Sequence, residues 1–349
     1  MTELDVTTLD RRVSALVGDR WPGASVESIV RMPAGVSSLA YRVSIAPGSD
    51  APTGMVLKVA PVGLPATMNR DVLRQARMMA AVAEQTDVPV PAILVRDDSE
   101  QPPMFGMEML RGQSYEPGTD IAGDEAPDPA VVRARYRTAT QALMGLQSVT
   151  PAALGAGSEP AVGPSDELER WRRLLSTVDD DICPGHTELY ERLEARIPRP
   201  LRPTLHHGDY RLANMMFTDA SLNGVIDWEI WAVGDPRADL AWLLMHLDPP
   251  HLFHRDRPQA DQYAATGLPT VLDVLGDAAE AGARIETLTT DLPWFLALAA
   301  YKVASTVGVL AKRNRRLEVP AERLVFAAES LPGVIARGHT YLDEEDWSR

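Results

Sequence analysis

At 349 residues the chain is long enough for two domains or one two-lobed unit with a sizeable core, and 45% hydrophobic with 24% charged residues is an ordinary globular composition. A net charge of -15 argues against nucleic acid or an anionic membrane surface as a general partner, while tolerating a cationic substrate. The single cysteine, Cys183, excludes an internal disulfide and a multi-cysteine metal site, fits a reducing compartment, and reads as a small buried apolar residue.

The N-terminus, MTELDVTTLDRR, has no basic start followed by an apolar core, so no signal peptide is expected and the predicted location is cytoplasmic. Leu9, Val13, Leu16 and Val17 recur at helical spacing, which predicts a helix over 5–19 closed by Pro22-Gly23. Three strands are expected next, at 26–32, 39–45 and 55–60, a meander broken at Pro33-Ala34-Gly35 and again at 46–54. The turn at 34–38, ending in Ser37 and Ser38, is mostly small residues; it is either an ordinary hairpin turn or one whose backbone N–H groups approach phosphates. Lys58 is a lone cation in an apolar strand, so it must face solvent or a fixed anion. A helix follows over 67–85, then strands at 92–95 and 104–110, the second being a buried strand before a linker or a hinge.

Between 112 and 129 the composition turns to Gly, Pro, Asp and Glu, marking a lobe boundary or flap. Helices are predicted at 129–148, 166–177 and 187–196, and prolines at 198, 200 and 203 make an extended entry to the segment that follows. That segment, 206–239, concentrates the chemistry. Met215 to Phe217, the turn formers of 218–224 and Val225-Ile226 predict a β-hairpin, which sets Asn214 beside Asp227 because facing residues in a hairpin lie about 5 Å apart. An amide oxygen and a carboxylate converging in this way suit Mg²⁺, which takes one or two protein ligands and completes its shell with water and phosphate. Asp209, on the loop leading into the hairpin, is a candidate base. Singly, each of these residues also has a structural reading as a turn, a cap or a surface carboxylate.

Asp235 can cap a helix over 238–247 with Pro236 at its first position. The rest is mostly helical, with segments at 259–265, 270–276, 292–313 and 320–337. The apolar run 292–311 carries Lys302 near its middle, where a charge would cost about 3 kcal/mol in a bilayer, so a buried helix and no membrane partner are predicted. The basic cluster Lys312, Arg313, Arg315 and Arg316 opposes that helix's dipole, with an anionic substrate group as the alternative reading.

The order His207-Gly208-Asp209, four residues, Asn214, a hairpin, then Asp227 resembles the catalytic loop and metal segment of the kinase superfamily. It is most similar to the aminoglycoside phosphotransferase and choline kinase branch, which reads H-G-D-x-x-x-x-N, then I-D-W-E or I-D-F-E, then G-D-P-x-x-D-L-A. Here those stretches are 207–214, Ile226-Asp227-Trp228-Glu229 and Gly234-Asp235-Pro236-Arg237-Ala238-Asp239-Leu240-Ala241. The resemblance covers nearly the whole chain and implies an α+β, two-lobed, protein-kinase-like fold. Its small antiparallel-sheet lobe with the nucleotide site would span 1–110, and a larger helical lobe with catalytic loop and substrate site 111–349.

By the same resemblance the function is ATP- and Mg²⁺-dependent transfer of the γ-phosphoryl group to a hydroxyl of a small molecule. Asp209 would take the hydroxyl proton, Asn214 and Asp227 hold Mg²⁺, and Ser37, Ser38 and Lys58 meet the phosphates. The Glu108 carbonyl and Leu110 N–H would read adenine, while His207 and Asp239 brace the loop. Gln75 departs from the pattern, standing where the family usually places the glutamate that pairs with the strand lysine. The I-D-W-E context and C-terminal helix look like the phosphotransferase-type domains found alone or fused to acyl-CoA dehydrogenases, a hint of a hydroxylated acyl acceptor. The departure at Gln75 motivates an alternative, a non-catalytic nucleotide-binding pseudokinase or scaffold; hydrolysis of a phosphate ester at the same metal site is a third reading.

Overall fold

The computed structural model describes residues 4–32, 38–46 and 50–343. Ser37 and the rest of the turn at 34–38 except Ser38 lie outside them. Helix α1 (Val6–Arg20) starts where the Asp5 carboxylate accepts from the Thr8 N–H at 2.9 Å. It is followed by β1 (Val26–Arg31), β2 (Leu39–Ile45), β3 (Gly54–Val59), α2 (Val72–Gln85), β4 (Ile93–Asp97) and β5 (Met104–Glu108). The five strands form one sheet in the order β1-β2-β3-β5-β4, with every neighbouring pair antiparallel.

Alternation along β3 sorts its side chains. Met55, Leu57 and Val59 pack with Leu9, Val13, Val17 and Trp21 of α1, so α1 covers one face of the sheet. Phe105 and Met107 face the other way, toward Val72, Ala76 and Met79 of α2, in the large core shared with the C-terminal lobe. Lys58, one residue out of phase with Leu57, therefore points to the lobe interface and not to α1. The helix predicted over 67–85 is shorter than expected: residues 68–70 make a 3-10 turn and Asp71 caps α2 at 2.9 Å from the Arg74 N–H.

The C-terminal lobe contains α3 (Pro129–Ser148), β6 (Ala161–Val162), α4 (Pro164–Leu175), α5 (His186–Glu194), β7 (Thr204–His206), β8 (Met215–Thr218), β9 (Ser221–Val225) and β10 (Ala232–Gly234). The helices α6 (Arg237–Met245), α7 (Gln259–Ala265), α8 (Val271–Glu280), α9 (Ile285–Thr289), α10 (Leu292–Asn314) and α11 (Glu322–Asp343) complete it. Helix α10 is the axis of the lobe, packing on α4, α5, α6 and α11. Among the described residues it alone is long and apolar enough to cross a membrane, and 78% of its most apolar window is buried inside the protein. Cys183 is buried in the same core, which pushes its thiol up to about 12 and leaves it inert.

Two small sheets frame the chemistry. β10 pairs parallel to β6 and antiparallel to β7, so Ala232 lies opposite His206 at the entry to the loop 207–214. None of these three short strands was expected from the sequence. The β8–β9 hairpin forms, but its turn is only residues 219–220, because Ser221 and Leu222 join the strand despite their turn-forming neighbours. A bulge at Met216/Phe217 absorbs the mismatch. Asn214 consequently faces Ile226, whose N–H reaches the Asn214 carbonyl at 2.9 Å, and Asp227 comes one residue later than the predicted pairing.

Candidate active site

The loop from β7 to β8 is held chiefly through its backbone. Gly208 has φ +87, and a Cβ there would lie 2.7 Å from the Ile230 carbonyl, so both the turn and the close approach require glycine. Asp239, in the first turn of α6, accepts from the His207 N–H at 2.6 Å and the Gly208 N–H at 3.0 Å. The His207 ring is buried edge-on to Trp228. Its Nδ1 lies 3.2 Å from the Asp209 N–H and its Nε2 2.8 Å from the Ile226 carbonyl. Nε2 therefore donates and Nδ1 accepts, and the one ring ties the loop to the segment that carries Asp227.

Asp209 projects into the cleft with its side chain 28% exposed. Oδ1 accepts from the Trp242 indole N–H at 2.7 Å and Oδ2 from the Asn214 amide at 2.7 Å. Burial disfavours its charge, yet the positive charges of Arg211 and Lys302 outweigh burial and hold the carboxyl well below the usual range. It is an ionised acceptor at neutral pH, as a base must be. The Asn214 amide nitrogen is committed to the Asp209 carbonyl and carboxylate, which leaves its oxygen as the atom able to meet a cation. Asp227 adopts φ 64, a left-handed conformation that aspartate tolerates better than most residues, with its side chain 39% exposed. The two donors fit Mg²⁺, which needs only one or two protein oxygens beside phosphate and water. A dedicated all-protein cage is not present, because among the described residues no three His, Cys, Asp or Glu side chains cluster.

Across the cleft, the Lys58 ammonium lies 3.0 Å from Oδ1 of Asp227, joining the two lobes. Gln75 is buried, and its amide donates to the Asn69 carbonyl at 3.2 Å. Ser38 is fully buried, and its hydroxyl has no partner among the described residues. At the end of β5 the Glu108 N–H bonds the Ala92 carbonyl at 2.8 Å, and Met109 is 43% exposed. The chain then returns onto the hairpin. Asn223 donates to the Arg111 carbonyl at 2.9 Å, and Gly112, φ +106, passes so close to Phe217 that a Cβ would overlap its carbonyl. Asp209, Asn214, His207 and Asp239 thus form one hydrogen-bonded unit, and Lys58 and Asp227 a second bridge. The Gln75 amide, bonded to Asn69, joins neither.

Four residues beside Asp209 were not singled out as site residues. Trp242 orients the carboxylate; a buried indole N–H needs an acceptor, which is the signal its sequence carried. Lys302 donates to the Gly208 carbonyl, and its place in an apolar helix likewise demanded a partner. Arg211 places Nε 3.3 Å from Asp209 Oδ1, in ion-pair range but without the alignment of a hydrogen bond. Glu116, fully buried, accepts from the Tyr136 hydroxyl at 2.9 Å and the Ala213 N–H at 3.2 Å, and burial pushes its carboxyl up to about 7. Nothing in the Gly/Pro-rich stretch around Glu116 marked it.

Mouse acyl-CoA dehydrogenase family member 10 is 28% identical over 274 residues, covering 74% of this chain and 24% of that protein. The human acyl-CoA dehydrogenase family member 11 is 24% identical over 225 residues, 62% of this chain and 28% of that protein. The chain thus spans under a third of the length of these curated relatives. Among solved structures, a Ralstonia eutropha protein named after the aminoglycoside phosphotransferases superposes with a TM-score of 0.74 at 22% identity, covering 95% of this chain and 97% of that one. The streptomycin–ATP ternary complex of APH(2")-IIa superposes with a TM-score of 0.54 at 18% identity, covering 95% and 99%. These likenesses establish the kinase-like, two-lobed fold. Residues 28–271, well over half of the chain, match the model of the phosphotransferase enzyme family known as APH, and the chain belongs to that family.

Proposed function

We propose that this protein transfers the γ-phosphoryl group of ATP to a hydroxyl of a small molecule, using Mg²⁺ held by Asn214 and Asp227. The observation that carries this reading is the convergence, at one cleft, of an ionised Asp209, an Asn214 oriented by it, and a Lys58–Asp227 bridge between the lobes. Bound at Asn214 and Asp227, the metal would supply charge neutralisation to the phosphates. Lys58 contributes a fixed positive charge to the same phosphates. The backbone at Glu108 and Leu110 holds adenine, and Ser38, with Ser37 beyond the described residues, borders the phosphate side. Asp209 accepts the acceptor's hydroxyl proton, held in direction by Trp242 and Asn214. Arg211 adds positive charge beside it. Phosphoryl transfer asks a protein for positioning and charge more than for covalent chemistry, so this small set suffices.

The aminoglycoside kinases that share the fold do not identify the acceptor, and neither do the dehydrogenase names of the relatives. The second reading, nucleotide binding without catalysis, draws on Gln75, whose amide turns to Asn69 and supplies no charge to Lys58. One experiment tests both. Melting is followed with ATP, with Mg²⁺ and with the two together; a ligand at about 100 times its Kd adds ~2.7 kcal/mol. A rise that needs both ligands, followed by ATP-dependent phosphorylation of a hydroxylated compound that Asp209→Ala abolishes, is the expected result. No rise at millimolar nucleotide would overturn the ATP reading, and binding with no transfer to a broad panel of alcohols would favour the scaffold.

A further inference from the structure

We propose that Lys302, in helix α10, is a positioning residue that sets the direction of the Asp209 carboxylate. It acts through two contacts at once. Its ammonium donates to the Gly208 carbonyl, immediately before Asp209. The same ammonium lies 3.8 Å from the centroid of the Trp242 indole, whose N–H is bonded to Asp209 Oδ1 at 2.7 Å. This role rests on the reading of Asp209 as the base, but the geometry it asserts does not.

Lys302 is 9% exposed in the middle of the long apolar helix α10, where an aliphatic residue would pack at lower cost. Among the described residues no carboxylate lies within ion-pair distance of it. It is satisfied instead by a carbonyl and by aromatic faces, those of Trp242 and, at 5.3 Å, Trp171. Both partners lead to Asp209. The N–H of Gly208 is held by the Asp239 carboxylate and its carbonyl by Lys302, so groups of opposite charge grip both polar atoms of one glycine. Glycine has the widest backbone freedom of any residue, and at φ +87 this grip is what stops the following carboxylate from swinging. Trp242, held through its ring face, then presents the indole N–H to the carboxylate from α6. A cation serving only the packing of α10 would need neither contact.

The test follows the Trp242 indole N–H in ¹⁵N-labelled full-length protein, its resonance identified with Trp242→Phe. Asp209→Ala removes the acceptor and should move the signal upfield. Lys302→Met should move it in the same direction by at least half as much, but should add nothing in the Asp209→Ala background. Lys302→Arg, which keeps the cation, should leave it near the wild-type position. A folded Lys302→Met protein with an unmoved signal overturns the proposal. So does an equal shift in both backgrounds, which would report only the loss of a charge above the ring. Should the methionine variant fail to fold, Lys302→Gln, which keeps a donor for Gly208 without the charge, is judged by the same two criteria. Calorimetric affinity for ATP with Mg²⁺ should stay within about threefold in Lys302→Met. If wild type itself binds no nucleotide, the kinase reading fails while the indole signal still decides this one. Once an acceptor is in hand, Lys302→Met should lower kcat by about 100-fold with KM for ATP unchanged, the size expected when a reacting group is displaced by about 1 Å.

Discussion

On the C-terminal side of the cleft each member of the 207–209 loop is held by at least two others: Asp209 by Trp242 and Asn214, His207 by Ile226 and Asp209, Gly208 by Asp239 and Lys302. On the N-terminal side, among the described residues, Lys58 has a single ion pair, itself reaching across to Asp227, and Gln75 bonds a backbone carbonyl of its own segment. The contrast follows from what each wall presents. Under the proposed function the C-terminal wall offers a base, whose direction matters, whereas the N-terminal wall offers charge, whose effect falls slowly with distance. A directional group needs a buried scaffold of hydrogen bonds; a lysine needs only an anion nearby.

The comparison can be broken or sharpened by substitution. The largest effect is expected for Asp209→Ala, which should reduce phosphoryl transfer by roughly 10²–10⁴-fold, the usual worth of general base catalysis, while nucleotide binding measured by calorimetry persists. Asp239→Ala should cost about 3 kcal/mol in chemical denaturation, because it strands two buried N–H groups and removes the anion opposite Lys302.

Glu116 makes the C-terminal wall sensitive to pH. Its carboxyl titrates near 7 when folded, against 4.5 in the unfolded chain, so the folded state holds the extra proton and stability falls as pH rises through that window. Glu116→Gln removes this dependence. Comparing melts at pH 5 and pH 8, the variant should gain on wild type by up to about 3 kcal/mol.

Smaller effects belong to the N-terminal wall. Lys58→Met should weaken ATP binding by about tenfold yet change stability by less than ~1 kcal/mol, since Asp227 is well exposed and can be solvated. Gln75→Glu is the sharpest test of the looser side. Losing the amide that donates to Asn69 should lower stability by about 1 kcal/mol unless the new carboxylate turns to Lys58; a stability gain together with tighter ATP binding would show that this wall, too, is built for fixed pairing.

Much of this arrangement was legible in the residues alone. Helices α3 and α7 have the bounds their periodicity predicts, and strands β1 to β5 lie within two residues of expectation at each end, because amphipathic alternation and helical spacing are local properties of the chain. The motif order from His207 to Asp239 indicated which residues share a loop and a hairpin. The tertiary structure decided the rest. The strands β6, β7 and β10, two or three residues each, exist only because their partners arrive from distant positions. The one-residue offset of Asp227 from Asn214 was set by the hairpin's register, Met215 opposite Val225, which no turn rule foretold. Trp242, Glu116 and Lys302 are separated from Asp209 by 33, 93 and 93 positions, and their sequence signals said only that each polar atom, if buried, must find a partner. Local spacing determines which face of an element a residue occupies; which face it meets is settled by the packing of α6 and α10 around the loop 207–214.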